Sequence, residues 1–456
     1  MDQNKEDTIV ALATPTGTGA IGIVRLSGPD AINIANKVFK GKDLGKQDSH
    51  TIHFGQIVDG DILLDEVLVS LFVAPKSYTR ENVVEISCHG SAYIIESIIK
   101  LLIRNGARSA KPGEFTLRAF LNGQLDLSQA EAVADLIASN SKASQQAAIQ
   151  QLRGGFSTQL QALRGQLITF ASLVELELDF SEEDVEFANR DQLKQLIHDI
   201  AKVISRLIQS FELGNAIKQG VNTVIAGRPN AGKSTLLNTL LNEERAIVSH
   251  IPGTTRDTIE EVLNINGINF RLVDTAGLRE ATDTIEQIGV KRTMEKISQS
   301  ALLIYVFDAE RITIEELNND IASLQKPNIP MLLVANKIDL LSEEQLVSLP
   351  HTDSSILISA KEKLHIDELK DKIYYAAVKE KLNDDETLVT NIRHLEALKK
   401  TEEALLRLLS GIDTQVTSDF LAMDIKQALH YLGEITGAVT TDDLLDNIFS
   451  KFCIGK

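Results

Sequence analysis

The sequence predicts an α/β plus α protein of three parts. A mixed α+β segment covers about residues 1–118, and a helical region is split between 119–217 and 379–456. An α/β segment with a mostly parallel sheet, at 218–378, is inserted between the two helical pieces. Three observations carry this. Short apolar runs alternate with amphipathic helical spacing from Val221 to about Val378, the pattern of βαβ units. On both sides of that stretch apolar residues recur every three to four positions, and neither helical half closes a core by itself. The halves are therefore expected to pack together, with the α/β segment in a surface loop; two separate helical domains are the alternative. The composition agrees: 43% apolar, 5% aromatic and no tryptophan suits an α/β and helical chain better than an all-β one. A length of 456 residues has room for two to four domains.

In the first segment DTIVALAT and GAIGIVRLSG read as strands joined by a glycine-rich turn, Gly17 to Gly22. HFGQIVDGDILLDEVLVSLFVAP reads as a hairpin turning near Asp59-Gly60, and NVVEISCHG as a further strand. SAYIIESIIKLLIRNGA has helical spacing and a stop at Gly106. Beyond Leu127, AEAVADLIASNSKASQQAAIQQL and LRGQLITFASLVELELDF are amphipathic helices. After the α/β segment comes a polar linker, KEKLNDDETLVT. NIRHLEALKKTEEALLRLL and DFLAMDIKQALHYLGEITG are again helical, and TTDDLLDNIFSKF near Thr440 is a short capped helix before CIGK.

Four elements of the inserted segment point to a guanine nucleotide. Gly227–Ser234 is G-x-x-x-x-G-K-S between an apolar strand and an amphipathic helix, the context a phosphate-binding loop needs. Its glycines let backbone N–H groups wrap phosphates, and the helix N-terminus adds positive potential. Asn230, Ala231, Gly232, Lys233, Ser234 and Thr235 are the candidates, with Lys233 on the β and γ phosphates and Ser234 on Mg²⁺. Read alone, the same run is also a strand-to-helix turn with a chance lysine. Asp274, Thr275, Ala276 and Gly277 follow a strand; Asp274 is expected to hold Mg²⁺ through water, and the Gly277 N–H to meet the γ-phosphate. MLLVANKID sets Asn336, Lys337 and Asp339 at a strand end. A carboxylate there accepts from guanine N1–H and the 2-amino group, donors that adenine lacks. Ser359, Ala360 and Lys361 supply a backbone N–H for guanine O6. The fold expected for this segment is a Ras-like P-loop GTPase domain.

Where Ras-type enzymes have a water-orienting Gln, this chain has Leu278, which cannot polarise water. Another group must act, or hydrolysis is slow; Arg279, Glu280, Asp283 and Glu286 lie in the next loop, which also reads as a solvated acidic loop. Ser249, His250, Ile251, Pro252, Gly253, Thr254 and Thr255 form the candidate switch, with Thr255 completing the Mg²⁺ shell. Asn230 offers a side-chain oxygen for a monovalent cation, and equally reads as a turn-forming residue.

With these residues in place, the whole chain resembles the bacterial tRNA modification GTPase MnmE (TrmE) family. The markers are ATPTGTGAIGIVRLSG, PGEFTLRAFLNGQLDLSQAEAV, GRPNAGKSTLLN, IPGTTRD, DTAGLRE and the terminal FCIGK. The resemblance implies an N-terminal domain, similar to folate-dependent aminomethyltransferases, that forms a homodimer and binds a tetrahydrofolate derivative (5-formyl or methylene). It implies a helical domain built from both sides of the insertion, and GTPase domains that pair across their nucleotides. It implies an FAD-dependent partner, MnmG, in a heterotetramer, and a tRNA substrate that receives a carboxymethylaminomethyl or aminomethyl group at carbon 5 of the wobble uridine. By the same resemblance Asn230, Ser249, Ile251 and Thr254 hold K⁺, Glu286 positions the attacking water, and Arg279 is a catalytic candidate in the second switch. Arg25, Glu85, Gln124 and Lys456 fall at folate positions; without it Glu85 reads as an ordinary strand residue, and Gln124 is a neutral amide unsuited to a charge role. Cys453 reads either as a thiol near the chemistry or as a small buried residue of a docked tail. Cys88 and His89, as strand neighbours, point to opposite faces, which leaves Cys88 to the core.

The net charge of −18 argues against a general nucleic-acid binder, though not against RNA held by a local patch or a partner. Two cysteines are too few for a disulfide framework and show no zinc spacing. The acidic first residues carry no signal-peptide core, no apolar run spans a membrane, and a cytoplasmic location is expected. Two rivals remain at this point. One is an rRNA-binding assembly GTPase, which would carry a KH-type G-x-x-G and a basic face. The other is a folate-dependent aminomethyltransferase with a regulatory GTPase attached.

Overall fold

The computed structural model describes residues 7–179, 190–243, 261–274, 297–298, 300–327, 329–347, 349, 355–377, 388–414 and 416–455. The chain divides into two compact units. One holds residues 1–137, 151–197 and 403–456; the other holds 138–150 and 198–402.

The first unit is built on seven strands: β1 (Ile9–Leu12), β2 (Ile21–Ser27), β3 (Phe39–Lys40), β4 (Thr51–Asp59), β5 (Ile62–Phe72), β6 (Val83–His89) and β7 (Arg108–Ser109). Their order is β3-β4-β5-β6-β2-β1-β7, with only the β1–β7 pair parallel. The hairpin expected near Asp59-Gly60 is β4–β5, and Gly60 takes φ +62 in its turn. Alternation along β5 and β6 buries Val67, Val69, Leu71, Val84, Ile86 and Cys88 in one core with the helices Ala31–Val38 and Ala92–Arg104. The second helix ends before Gly106, at φ +115, as its sequence predicts. Helix Glu114–Leu121 closes the far edge through a buried ionic network. Arg118 is 5% exposed and reaches Asp7, Glu81 and Glu114. Burial raises the Glu114 carboxyl, but Arg108 and the Lys111 N–H more than offset it, so it stays below the usual range.

Helices from either side of the inserted segment meet in this unit. Gly155–Asp179 packs along Ser418–Thr436, with Ser418 Oγ donating to Glu177 at 3.1 Å and Lys426 paired with Glu175 at 2.7 Å. The short helix near Thr440 is Asp442–Phe449, capped by Thr441 Oγ1, which accepts from the Leu444 N–H at 3.3 Å.

The second unit holds β8 (Val221–Ala226), β9 (Glu261–Ile265), β10 (Ile268–Asp274), β11 (Leu302–Asp308), β12 (Met331–Asn336) and β13 (Ser355–Leu357). Their order is β13-β12-β11-β8-β10-β9, parallel throughout except β9–β10. That is a doubly wound sheet, the mostly parallel sheet the sequence predicts. The run Leu302–Phe307, apolar but for the Tyr305 hydroxyl, is buried along its length because helices cover both faces. The β9–β10 turn uses Asn266 (φ +50) and Gly267 (φ +86), the left-handed pair that matches strand twist in a two-residue hairpin.

Candidate functional site

The loop after β8 lies at the carboxyl ends of the parallel strands, where open α/β sheets bind ligands. Helix Lys233–Glu243 starts directly after it. Gly232 is at φ +92, and a Cβ there would lie 2.2 Å from Asn336 Nδ2, so only glycine fits. Asn230 takes φ +62 with its side chain exposed. Ala231 is buried, and Ser234 and Thr235 are exposed on the first helical turn. Lys233 is 8% exposed and its Nζ donates to the Gly227 and Arg228 carbonyls, each at 2.9 Å.

Asn336, at the end of β12, joins two of the expected elements. Its Nδ2 donates to the Ala231 carbonyl at 2.9 Å, and its Oδ1 accepts from the Ala360 N–H at 3.0 Å. Thr239 Oγ1 donates to the Ala360 carbonyl at 2.8 Å, a second tie from the phosphate-loop helix to the Ser359–Lys361 turn. Ser359 is fully buried, and its Oγ accepts from the Glu362 N–H at 3.1 Å. The Lys361 side chain is 80% exposed. Lys337 adopts φ +70 and pairs with Asp308, at the end of β11, at 2.7 Å. Asp339 is exposed on the short turn Ile338–Leu340. A base lying against this turn would meet one open carboxylate, that of Asp339, while the Ala360 N–H is engaged by Asn336 Oδ1.

Sequence reading missed what anchors this loop. Arg228 pairs with Asp320 at 2.7 Å and with Glu316, and the Tyr305 hydroxyl also donates to Asp320. The two acids sit on helix Ile314–Leu324, some 90 residues from Arg228, and Tyr305 sits on β11. The one legible signal is the Thr313–Glu316 capping box that starts the helix. Ser249 to Thr255, Thr275, Ala276, Gly277, Arg279 and Glu286 lie outside the described residues, as does the Asp274 side chain.

In the other unit, Arg25 on β2 stands opposite Glu85 on β6. Its Nε and Nη2 both approach Glu85 Oε1 at 2.8 Å, which leaves Oε2 without a partner among the described residues. Arg25 lies 5.7 Å from the ring centroids of both Tyr78 and Phe115. Its Nη1 donates to the Gly455 carbonyl at 3.4 Å. The tail is held there by the Gly113 N–H, which donates to the Cys453 carbonyl at 3.3 Å. The structure therefore unites Arg25 and Glu85 with the residue before Lys456, which is itself outside the described residues. Gln124 is not in this group; its Oε1 accepts from Arg80 Nε at 2.9 Å. Tyr78 and Phe115 belong to a small core with Ile9, Ala11 and Ala110, where aromatic residues are expected.

The tail is docked as one reading of Cys453 required, but the residue is exposed, because the contact is made by its backbone. Cys88 is buried, and burial first, then Asp65, pushes its thiol up to about 11. His89 turns to the opposite face and pairs through Nδ1 with Asp65 at 2.7 Å. No group of His, Cys, Asp and Glu among the described residues could hold a metal ion, and no described helix is long and apolar enough to cross a membrane.

Comparison with known proteins agrees with this architecture. The family profile described as MnmE helical domain matches residues 127–453, and that described as GTP-binding protein TrmE N-terminus matches 8–124. A relative from Cytophaga hutchinsonii, named tRNA modification GTPase MnmE, is 59% identical over 99% of this chain and 98% of its own. Another of that name from Christiangramia forsetii is 54% identical over 99% of each. Among solved structures, Era of Aquifex aeolicus bound to GDP and aluminium fluoride is 28% identical. That alignment covers 41% of this chain and 67% of the other, with a TM-score of 0.29. Matches of this identity over both whole chains have one meaning: this chain belongs to the tRNA modification GTPase MnmE (TrmE) family.

Proposed function

We propose that this GTPase works in tRNA modification as a potassium-dependent homodimer in the cytoplasm. With an FAD-dependent MnmG-type partner it installs a carboxymethylaminomethyl or aminomethyl group at carbon 5 of the wobble uridine of certain tRNAs. A tetrahydrofolate derivative (5-formyl or methylene) donates the one-carbon unit. Family membership over the whole chain supports the GTPase and tRNA reading. The folate part of the finer reading is supported by one observation, the docking of the tail beside the Arg25–Glu85 pair.

The proposed division is a folate-binding and dimerisation domain at 1–118, helical pieces at 119–217 and 379–456, and a GTPase domain at 218–378. In the GTPase domain Asp339 accepts from guanine, Lys233 meets the β and γ phosphates, and Gly277 donates to the γ-phosphate. Ser234 and Thr255, with Asp274 through water, are the Mg²⁺ ligands. Asn230 fits a hard monovalent cation, because its side chain is exposed and without a hydrogen-bond partner among the described residues. Ser249, Ile251 and Thr254 complete that shell. Bound potassium supplies positive charge where an arginine finger would otherwise stand. Glu286 holds the attacking water in place of the side chain that Leu278 cannot provide, and Arg279 is the second catalytic candidate.

The folate residues fit their ligand. Glu85 Oε2 is open to pterin N–H groups, and Arg25 and Lys456 answer a carboxylate or carbonyl; Gln124 keeps its proposed folate role although its oxygen is taken by Arg80. Tyr78, half-buried beside Arg25, is the ring neighbour for a planar ligand, with Phe115 in the core behind it. Mass analysis of tRNA nucleosides tests the reading. A strain lacking the chain should lose the wobble modification, regain it with the wild-type chain and not with Arg25→Ala. Unchanged wobble uridines with altered ribosome profiles would favour an assembly GTPase instead.

A further inference from the structure

We infer that Arg80, hydrogen-bonded to Gln124, binds the glutamate-tail carboxylate of a folate whose ring lies at Arg25 and Glu85. This rests on the folate part of the proposed function and on neither the tRNA nor the potassium part. Arg80 is exposed on the loop between β5 and β6, two residues after Tyr78. Tyr78 lies against Arg25, whose guanidinium carbon is 5.7 Å from its ring centroid. Helix Glu114–Leu121 sets the spacing between the two arginines. Phe115, in its first turn, is also 5.7 Å from Arg25, and Asn122, just past its last turn, accepts from Arg80 Nη1 at 3.2 Å. Seven helical residues separate Phe115 from Asn122, about 10 Å. The two guanidinium groups therefore belong to opposite ends of this helix, a separation that the p-aminobenzoyl spacer between pterin and glutamate bridges.

The carrying observation is a cation fixed in place with no acid to answer it. Arg80 Nε donates to Gln124 Oε1 at 2.9 Å, and Nη1 donates to the Asn122 carbonyl, one of the acceptors left over at the helix end. A guanidinium carries five N–H groups, so three remain. Arg80 makes no ion pair among the described residues. Glu81, its neighbour in sequence, is taken by Arg118 at 3.2 Å and accepts from Ser27 Oγ at 2.6 Å. An arginine can only donate, which turns the Gln124 amide with its oxygen toward Arg80 and its two N–H groups outward. The pair thus offers donors alone, and its ligand is an oxyanion. A carboxylate matches the guanidinium, and the exposed position suits a tail that reaches solvent better than it suits a ring. Gln124 is unsuited to a charge role by itself; Arg80 supplies the charge at that place. The residue does so at φ +60, a conformation that suits glycine and strains an arginine, so the backbone gains nothing from this side chain. The competing account is a structural tie between the loop and the helix end.

Calorimetry on the full chain separates the two with a pair of probes, 5-formyltetrahydrofolate and 5-formyltetrahydropteroate, which keeps the ring and spacer but has no glutamate. Wild type should bind the first about tenfold more tightly. Arg80→Gly should abolish that preference and leave the affinity for the pteroate as it was. Glycine is the residue that φ +60 suits, so this variant should fold. Gln124→Glu keeps the guanidinium but gives it a carboxylate of its own, and should abolish the preference as well. A structural tie predicts instead that Arg80→Gly weakens both probes alike, and that result would overturn the proposal. So would a wild-type chain that binds the two probes equally. Arg80→Gly that loses tRNA affinity while keeping the folate preference would assign the guanidinium to RNA and overturn it too. A wild-type chain that binds neither probe would overturn the folate reading, and the role of Arg80 with it.

Discussion

The two candidate sites are assembled in opposite ways. In the nucleotide site the described residues come from three stretches, 227–239, 336–339 and 359–361, each following the end of a parallel strand. Parallel pairing of β8, β11 and β12 brings those ends together, and Asn336 ties them with two hydrogen bonds. In the N-terminal site Arg25 meets a partner 60 residues away and a carbonyl 430 residues away. The first site is thus a property of local motifs on a sheet whose order follows from chain order. The second exists only once the last residues return to the first strands. A local site should respond to mutation at one base or phosphate contact, whereas a long-range site should respond to whatever dislodges the tail.

The sharpest probe of the local site is Asp339→Asn. The residue is exposed and makes no hydrogen bond or ion pair among the described residues, so the change should leave stability within about 0.5 kcal/mol. It replaces an acceptor by a donor opposite guanine N1–H and the 2-amino group. GTP affinity should fall by about 1000-fold, roughly 4 kcal/mol, while xanthosine triphosphate, with a carbonyl at that position, should gain. Calorimetry with both nucleotides checks this. An unchanged GTP affinity would mean that the base does not sit on the Ile338–Leu340 turn.

The same contrast explains what could be read in the sequence. The Gly227–Ser234 loop, the Asn336–Asp339 strand end and the alternation of β8 to β13 were legible because periodicity and motif spacing act over a few residues. The β4–β5 hairpin and the Thr441 cap were legible for the same reason. The order β3-β4-β5-β6-β2-β1-β7 was not, since antiparallel strands can be joined in many orders. Nor were the Arg228–Asp320 anchor, the Lys337–Asp308 pair or the rings around Arg25, which are contacts between residues whose separation carries no pattern. Arg25 and Glu85 were found only through resemblance. The exposure of Cys453 escaped because its carbonyl, and not its thiol, holds the tail.

A second prediction probes the half of the nucleotide site that rests on Asn230. GTP hydrolysis should be about tenfold or more faster in potassium than in sodium at equal ionic strength, a difference of about 1.4 kcal/mol in barrier height. Asn230→Ala should remove the difference and leave nucleotide affinity near wild type. Equal rates in both salts would return Asn230 to the role of a turn residue at φ +62, and the charge compensation would have to come from elsewhere.

The smallest expected effect belongs to the long-range site, and Gly455→Ala isolates it. Gly455 is at φ +96, and a Cβ there would lie 2.0 Å from the Leu12 carbonyl oxygen, an atom of β1 that cannot yield without disturbing the sheet. The substitution should therefore lift the tail and withdraw the carbonyl that Arg25 contacts, leaving the Arg25–Glu85 pair intact. We expect affinity for 5-formyltetrahydrofolate to fall about fivefold, near 1 kcal/mol, while GTP hydrolysis is unchanged. Calorimetry gives the affinity, and faster carboxypeptidase trimming of the last residues gives the release of the tail. Trimming that accelerates while folate binding stays constant would show that the tail lies beside the ligand site without forming part of it. The contrast between a site made by motifs and a site made by the chain end would then fail on the second of its two terms.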